Sequence, residues 1–238
     1  MDKLKVTICA ALLGTALGAG LVYAAGEKKN EETPAEVFGD TVEYSMKTGV
    51  VKAKGHVVMK KDGATMTGNE ATYNTKSQAG QVTGNVVADK EDLHMTSDVF
   101  IAEQQNHFVA VGNVHARQKD KAYDGPKAEY FVDKDYVLMD QGGIVTSADG
   151  TFQADYMEGW IKEEHYKGIG NAHVVSPPKK FEGGGDEAEY FGKQNGKAIL
   201  TGNAWAIQEG NTLKSQKITI FLDEQEKVQT DTADKAEE

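Results

Sequence analysis

The sequence predicts an all-β fold, an array of antiparallel two-strand units about 29 residues long. Three observations carry this. Six segments of glycine followed by small apolar residues begin at Gly55, Gly84, Gly112, Gly142, Gly170 and Gly202, separated by 29, 28, 30, 28 and 32 residues. Polar turn clusters such as Lys61-Asp62-Gly63, Lys90-Glu91-Asp92, Asp133-Lys134-Asp135 and Pro177 to Lys180 recur twice per repeat. The runs between them are rich in Val, Thr, Tyr, Phe and Ile and often alternate, whereas no 3.6-residue periodicity persists after the first two dozen residues. Short polar links favour hairpins over helical crossovers.

The chain opens differently. Lys3 and Lys5 precede an uncharged run from Val6 to Val22, and Val22-Tyr23-Ala24 places small residues at positions −3 and −1 of a cleavage site. Residues 1–25 therefore read as a secretory signal peptide, cut after Ala24 or Ala25. An uncleaved membrane anchor is the rival reading, since a spanning helix needs ~17–25 residues. Cys9, the single cysteine, lies inside this run behind Thr7 and Ile8, without a lipobox. A cleaved chain would thus carry no thiol, disulfide or thiolate metal site. Residues 26–36 are polar and read as a flexible lead-in, 37–230 as one repeat β domain, and 231–238 as a disordered acidic tail. The prolines, at 34, 126, 177 and 178, all stand at or near expected turns.

Charge narrows the partners. Lys and Arg total 26 against 37 Asp and Glu, a formal charge of −11. That balance argues against nucleic acid and against adsorption to an anionic membrane surface. Lys52, Lys54, Lys60 and Lys61 form the densest basic group, read as a solvated strand rim and as the one candidate for an anionic headgroup. A hydrophobic fraction of 39% suits a narrow core or a lined groove.

Aligning the repeats defines an apolar face, because side chains alternate with a period of two. Two residues after each Gly stand Val57, Val86, Val114, Ile144, Ala172 and Ala204. Four after it stand Met59, Ala88, Ala116, Thr146, Val174 and Ala206. About eleven after it stands a larger group: Met66, Met95, Tyr123, Phe152, Phe181 or Leu213, at ten in the Phe152 copy. The second strand adds Ala71 and Tyr73, Val99 and Ile101, Ala128 and Tyr130, Ala154 and Tyr156, Ala188 and Tyr190, and Ile218 and Ile220. The glycines are expected to permit a bulge or sharp bend, with the Asn that often follows serving the turn rather than a ligand.

Nothing points to catalysis or to a cofactor. His115 and His173 share a slot three after the Gly, of opposite parity to the apolar face, and are expected outside. His56, His94, His107 and His165 share no slot, and no metal-ligand spacing appears. Glu31-Glu32, Glu91-Asp92 and Glu163-Glu164 read as solvated turn acids. The nucleophile elbow, phosphate loop and dinucleotide fingerprint are all missing from the sequence. A β-helical polysaccharide-active enzyme would stack acids at one slot, which this chain does not do. A structural or adhesive envelope repeat protein remains a rival.

The recurring motif is an acidic or Asn residue, an apolar or Tyr residue, then about eleven residues to Gly-Asn-small-apolar. Glu70-Ala71-Thr72-Tyr73 leads in this way to Gly84-Asn85-Val86, and Lys127-Ala128-Glu129-Tyr130 to Gly142. The fullest copy runs from Ala198-Ile199-Leu200-Thr201-Gly202-Asn203-Ala204-Trp205 to Lys217-Ile218-Thr219-Ile220-Phe221-Leu222. In these features residues 37 to 230 resemble the OstA-like family, the periplasmic bridge proteins of lipopolysaccharide transport and their membrane-bound and outer-membrane relatives. The resemblance implies an open antiparallel β-jellyroll, V-shaped and solenoid-like, of about 13–16 strands. Its apolar interior would hold lipopolysaccharide or a related lipid. Its edge strands would pair with inner- and outer-membrane transport components or, head to tail, with further copies. A membrane-anchored sister component of the pathway is the alternative within the family.

Overall fold

A computed structural model describes residues 36–221 except 62, 78, 105 and 192–195, together with the strand Val228–Thr230. The signal peptide, nearly all of the lead-in and the acidic tail expected from the sequence lie outside the described residues. Within them the antiparallel β-jellyroll class holds: every strand pairing is antiparallel, and the only helical turns are two 3-10 turns at Val132–Lys134 and Pro177–Lys179. Seventeen strands are described, more than the 13–16 expected, because the fourth repeat breaks its two strands into four short ones.

Backbone contacts divide the chain into two compact units. Among the described residues, one takes those from 36 to 119 with Pro126–Lys134, and the other Asp120–Gly125 with those from 135 onward. In the first unit β1 (Glu36–Phe38) and β2 (Thr41–Ser45) both pair with β3 (Val50–Lys61). From β3 a plain meander follows through β4 (Ala64–Asn74), β5 (Gly80–Lys90), β6 (Leu93–Gln104) and β7 (His107–Gln118). Strand β8 (Lys121–Phe131) gives residues to both units.

The second unit begins with the broken repeat: β9 (Tyr136–Met139), β10 (Gly143–Ser147), β11 (Gly150–Ala154) and β12 (Tyr156–Trp160). Both β11 and β12 pair with β13 (His165–Ser176), β9 pairs with β12, and β10 pairs with β11 and the start of β8. The meander then continues through β14 (Phe181–Phe191), β15 (Lys197–Gln208), β16 (Asn211–Phe221) and β17 (Val228–Thr230).

Gly55, Gly84, Gly112, Gly170 and Gly202 sit in mid-strand, where the expected bulge is found, while Gly142 directly precedes β10. Gly112 and Asn113 are both left-handed, at φ +75° and +47°, a conformation Asn tolerates better than other side chains. Registers slip at the Gly55, Gly84, Gly112, Gly170 and Gly202 bulges, each an extra residue on one strand. An Asx residue faces each bulge, on the preceding strand at Asn69, Asp98 and Asp186 and at the break between two short strands at Asp40 and Asp155. Asn113 Nδ2 donates to Asp98 Oδ2 at 2.9 Å, Asn171 Nδ2 to Asp155 Oδ2 at 2.6 Å, and Asn203 Nδ2 to Asp186 Oδ2 at 3.1 Å. His56 takes the Asn slot, its Nδ1 3.0 Å from Asp40 Oδ2. At Asn113, Asn171 and Asn203 the Asn side chain thus ties the bulge to the Asp that faces it.

Candidate functional site

In the first unit the slots four and eleven after each glycine fall into a single cross-strand row. Met59 lies opposite Met66, Met66 opposite Ala88, Ala88 opposite Met95, and Met95 opposite Ala116. All are buried except Ala116, which is half-buried. The residues two after the glycine, Val57, Val86 and Val114, are buried on the same face one pleat away. Val57 and Val86 stand opposite the small residues Gly68 and Ser97. Methionine dominates this row, and its unbranched thioether fits irregular apolar partners.

The second unit repeats the row with different chemistry. Tyr123, Val145, Phe152, Val174, Gly183, Ala206 and Leu213 are successive cross-strand partners. Here the fill is aromatic over glycine. A Cβ added at Gly168 would lie 2.5 Å from Phe152 Cζ, and one added at Gly183 would lie 2.8 Å from Phe181 Cζ. Phe181 is therefore two residues off the row and reaches it with its ring. Ala172 and Ala204 are buried one pleat over, while Tyr123, Phe152, Val174 and Phe181 are half-buried. Burial, with a smaller push from Asp120, raises the pKa of Tyr123, and burial likewise raises that of Tyr166, so both phenols stay neutral at physiological pH.

Two of the expected lining residues are exposed. Leu213, at 36% exposure, lies on the row but in the first half of β16, where β17 pairs only with Ile218–Ile220. Ile144, at 41%, faces the other way: it pairs with Asp124 and Gln153, and Val145 is the residue opposite Phe152. The cause is local. The fourth repeat has Gly143 in the Asn slot without a positive φ, so the two-residue bulge is not made and the alternation slips by one.

A second expectation also shifts. In the second half of β6 the buried residues are Phe100 and Ala102, each 1% exposed, while Val99 and Ile101 are half-buried. The bend facing Gly112 moves the strand's parity between Ser97 and Phe100.

His115 is exposed, as its parity implies, and His173 is half-buried with its Nε2 2.9 Å from Glu182. The other histidines pair with carboxylates across or along strands: His94 with Asp89, His107 with Glu103 and Glu129, His165 with Glu189. Among the described residues no three His, Cys, Asp or Glu side chains converge as a metal site. His165 belongs to a ring ladder at the strand ends of the second unit, with Tyr136, Trp160 and Phe191 stacked or tilted 4.7–5.1 Å apart and Lys197 over Phe191 at 5.3 Å. Its members sit outside the repeat alignment, and only the cross-strand register brings them together.

One acid carries a pH signature. Burial raises the pKa of Glu129, but hydrogen bonds from Lys127 and His107, with their charges, outweigh it and hold its carboxyl below the usual range. A depressed folded-state pKa contributes stability above the unfolded value and loses it as pH falls through the folded one. Glu129→Gln should therefore flatten the acid side of a stability-versus-pH curve. Urea unfolding midpoints taken from neutral pH downward would check this; an unaltered acid limb would contradict it.

The sequence profile of the family described as LptA/(LptD N-terminal domain) LPS transport protein matches residues 36–165, more than half of the chain. The chain belongs to that family. Its members are transport proteins rather than enzymes. No curated protein matches the chain. Among solved structures, the crystal structure of LptH, the LptA-homologous periplasmic component of the lipopolysaccharide transport device from Pseudomonas aeruginosa, is similar at 18% identity. The likeness covers 85% of each chain with a TM-score of 0.19, and the family assignment does not rest on it.

Proposed function

We propose that this chain is a periplasmic, non-enzymatic module that carries lipopolysaccharide from the inner to the outer membrane, sheltering the acyl chains against its apolar rows. The observation behind this reading is the in-register apolar row on one face of each unit, which runs from β3 to β7 in the first and through β13, β14 and β15 to β16 in the second. Transfer of an acyl chain from water to such a surface is worth ~0.8 kcal/mol per CH₂, so about 10 kcal/mol for a typical chain before ordering costs. That suffices without a charged anchor for the headgroup. Lys52, Lys54 and Lys60 are exposed, and Lys54 is already within 3.7 Å of Glu70, in keeping with a solvated rim.

Partners would dock by strand addition at sheet edges. Strand β2 is exposed throughout, with Val42 and Tyr44 on it and Phe38 and Met46 flanking it. The first half of β16 is exposed as well. Transport components of either membrane, or a further copy of the chain, would fit these edges.

Photo-crosslinking amino acids test the lining directly. Placed at the half-buried positions Ala116, Phe152 and Val174, they should capture purified lipopolysaccharide, while one at the exposed His115 should not. Equal labelling at all four sites would overturn the lining. Labelling at none would favour a structural envelope repeat protein with a packed, dry interior.

A further inference from the structure

The slot seven residues after the large apolar group holds tyrosine in two repeats, Tyr73 after Met66 on β4 and Tyr130 after Tyr123 on β8, and Tyr190 stands seven after the row residue Gly183 on β14. Tyr190 stacks on Tyr166 and Tyr130 also has a partner. Tyr73 differs. It is 2% exposed, and its hydroxyl is the one buried side-chain polar atom among the described residues with no hydrogen-bond partner. The other buried polar side chains are satisfied: Ser97 Oγ donates to Val99 O at 3.1 Å, Ser176 Oγ to Asp149 O at 2.7 Å, and Asp135 meets Lys162 at 3.7 Å.

The position is built rather than accidental. Tyr73 stands opposite Val51 on β3 and Gly80 on β5, and its ring lies against Gly80, where an added Cβ would be 2.8 Å from Cδ2. Gly80 is in turn opposite Ala102, and Ala102 opposite Phe108. With Ala71 and Val82 these are apolar, and all but Val51 and Gly80 are buried. A phenylalanine would keep every one of these contacts without the cost of a buried, unpaired hydroxyl. A buried water would need two to four polar partners, and these side chains supply only the Tyr73 hydroxyl itself.

We propose that the Tyr73 hydroxyl is a ligand-binding group that donates a hydrogen bond to a carbonyl oxygen joining an acyl chain to its headgroup. The inference deepens the proposed function and rests on its lining. An ester or amide carbonyl is the kind of acceptor a hydrocarbon chain can carry into a water-free seam, and a lone donor in an apolar lining would fix how far the chain enters. Burial pushes the Tyr73 phenol up to about 12, so it remains a neutral donor at physiological pH.

Two non-ionic surfactants with the same chain length separate the outcomes. Sucrose monododecanoate has an ester carbonyl at the head of its twelve-carbon chain, and dodecyl maltoside has a glycosidic ether there. Binding of each to the whole protein, below its micelle concentration, is measured by calorimetry for the wild type and for Tyr73→Phe. The wild type should prefer the ester, and Tyr73→Phe should weaken the ester about fivefold, the worth of one net hydrogen bond, while leaving the maltoside unchanged. The variant's urea midpoint should stay level or rise. Equal loss on both surfactants, no loss on either, or a fallen midpoint would overturn the role of the hydroxyl alone. Failure of the wild type to bind either surfactant would overturn the lining and this inference with it.

Discussion

Phe100→Ala should cost about 3–5 kcal/mol of stability, whereas Ile101→Ala, one residue on, should cost about 1 kcal/mol or less. Phe100 is 1% exposed, stacks on Phe108 with centroids 6.0 Å apart, and stands opposite Val82 and Ala110, both buried. Its removal leaves a cavity roofed by strands whose hydrogen bonds hold them apart, so the site cannot collapse to fill it. Ile101 is half-buried between Gln81 and Val109 and loses far less. Urea unfolding of both variants, with unchanged slopes, would measure the difference. Similar losses would mean that β6 keeps a single parity through Asp98, contrary to the structure.

That experiment also marks where the sequence was legible and where it was not. Period and turn chemistry locate the hairpins, and a hairpin fixes which residues lie opposite. Hence Met59, Met66, Ala88, Met95 and Ala116 could be aligned from spacing and fall in one row. Spacing cannot show a change of phase inside a strand. The +5 and +7 steps from Met66 to Ala71 and Tyr73 apply equally from Met95, where they give Phe100 and Ala102, the residues that are buried. Taking Val99 and Ile101 assumed an unbroken alternation across Asp98, yet Asp98 is the residue that faces the bulge at Gly112.

The bulges explain the other differences too. An Asx residue stands 14 to 16 positions ahead of Gly55, Gly84, Gly112, Gly170 and Gly202, at Asp40, Asn69, Asp98, Asp155 and Asp186. This was readable as a pattern, but its meaning depends on register, since only pairing shows that these side chains meet the left-handed backbone of the next strand. The fourth copy lacks the second left-handed residue, and Ile144 turns outward there while Val145 joins the row. The hydroxyl of Tyr73 lay beyond any sequence argument: the same slot holds Tyr130 and Tyr190, and burial and partners alone distinguish them.

Gly142→Ala should destabilise the second unit by about 2–5 kcal/mol, while Gly210→Ala should cost only about 1–2 kcal/mol. Both glycines are left-handed, at φ +77° and +85°, so the conformational penalty of a side chain is shared. Their surroundings are not. A Cβ at Gly210 meets nothing within 4 Å, whereas one at Gly142 lies 2.8 Å from the carbonyl oxygen of Ala154 and 3.0 Å from that of Asp155. Those are backbone atoms at the junction of β11 and β12, and they can move only if the pairing of β11 with β13 moves with them. Phe152 is two residues away on β11, with its ring over Gly168. Gly142→Ala should therefore also weaken lipopolysaccharide labelling at Phe152 and spare labelling at Ala116, which lies in the other unit. Thermal or urea unfolding compared with site-specific labelling would separate the two effects. Equal costs for the two glycine variants would show that the junction yields freely and that the Gly142 position is held by its backbone angle alone.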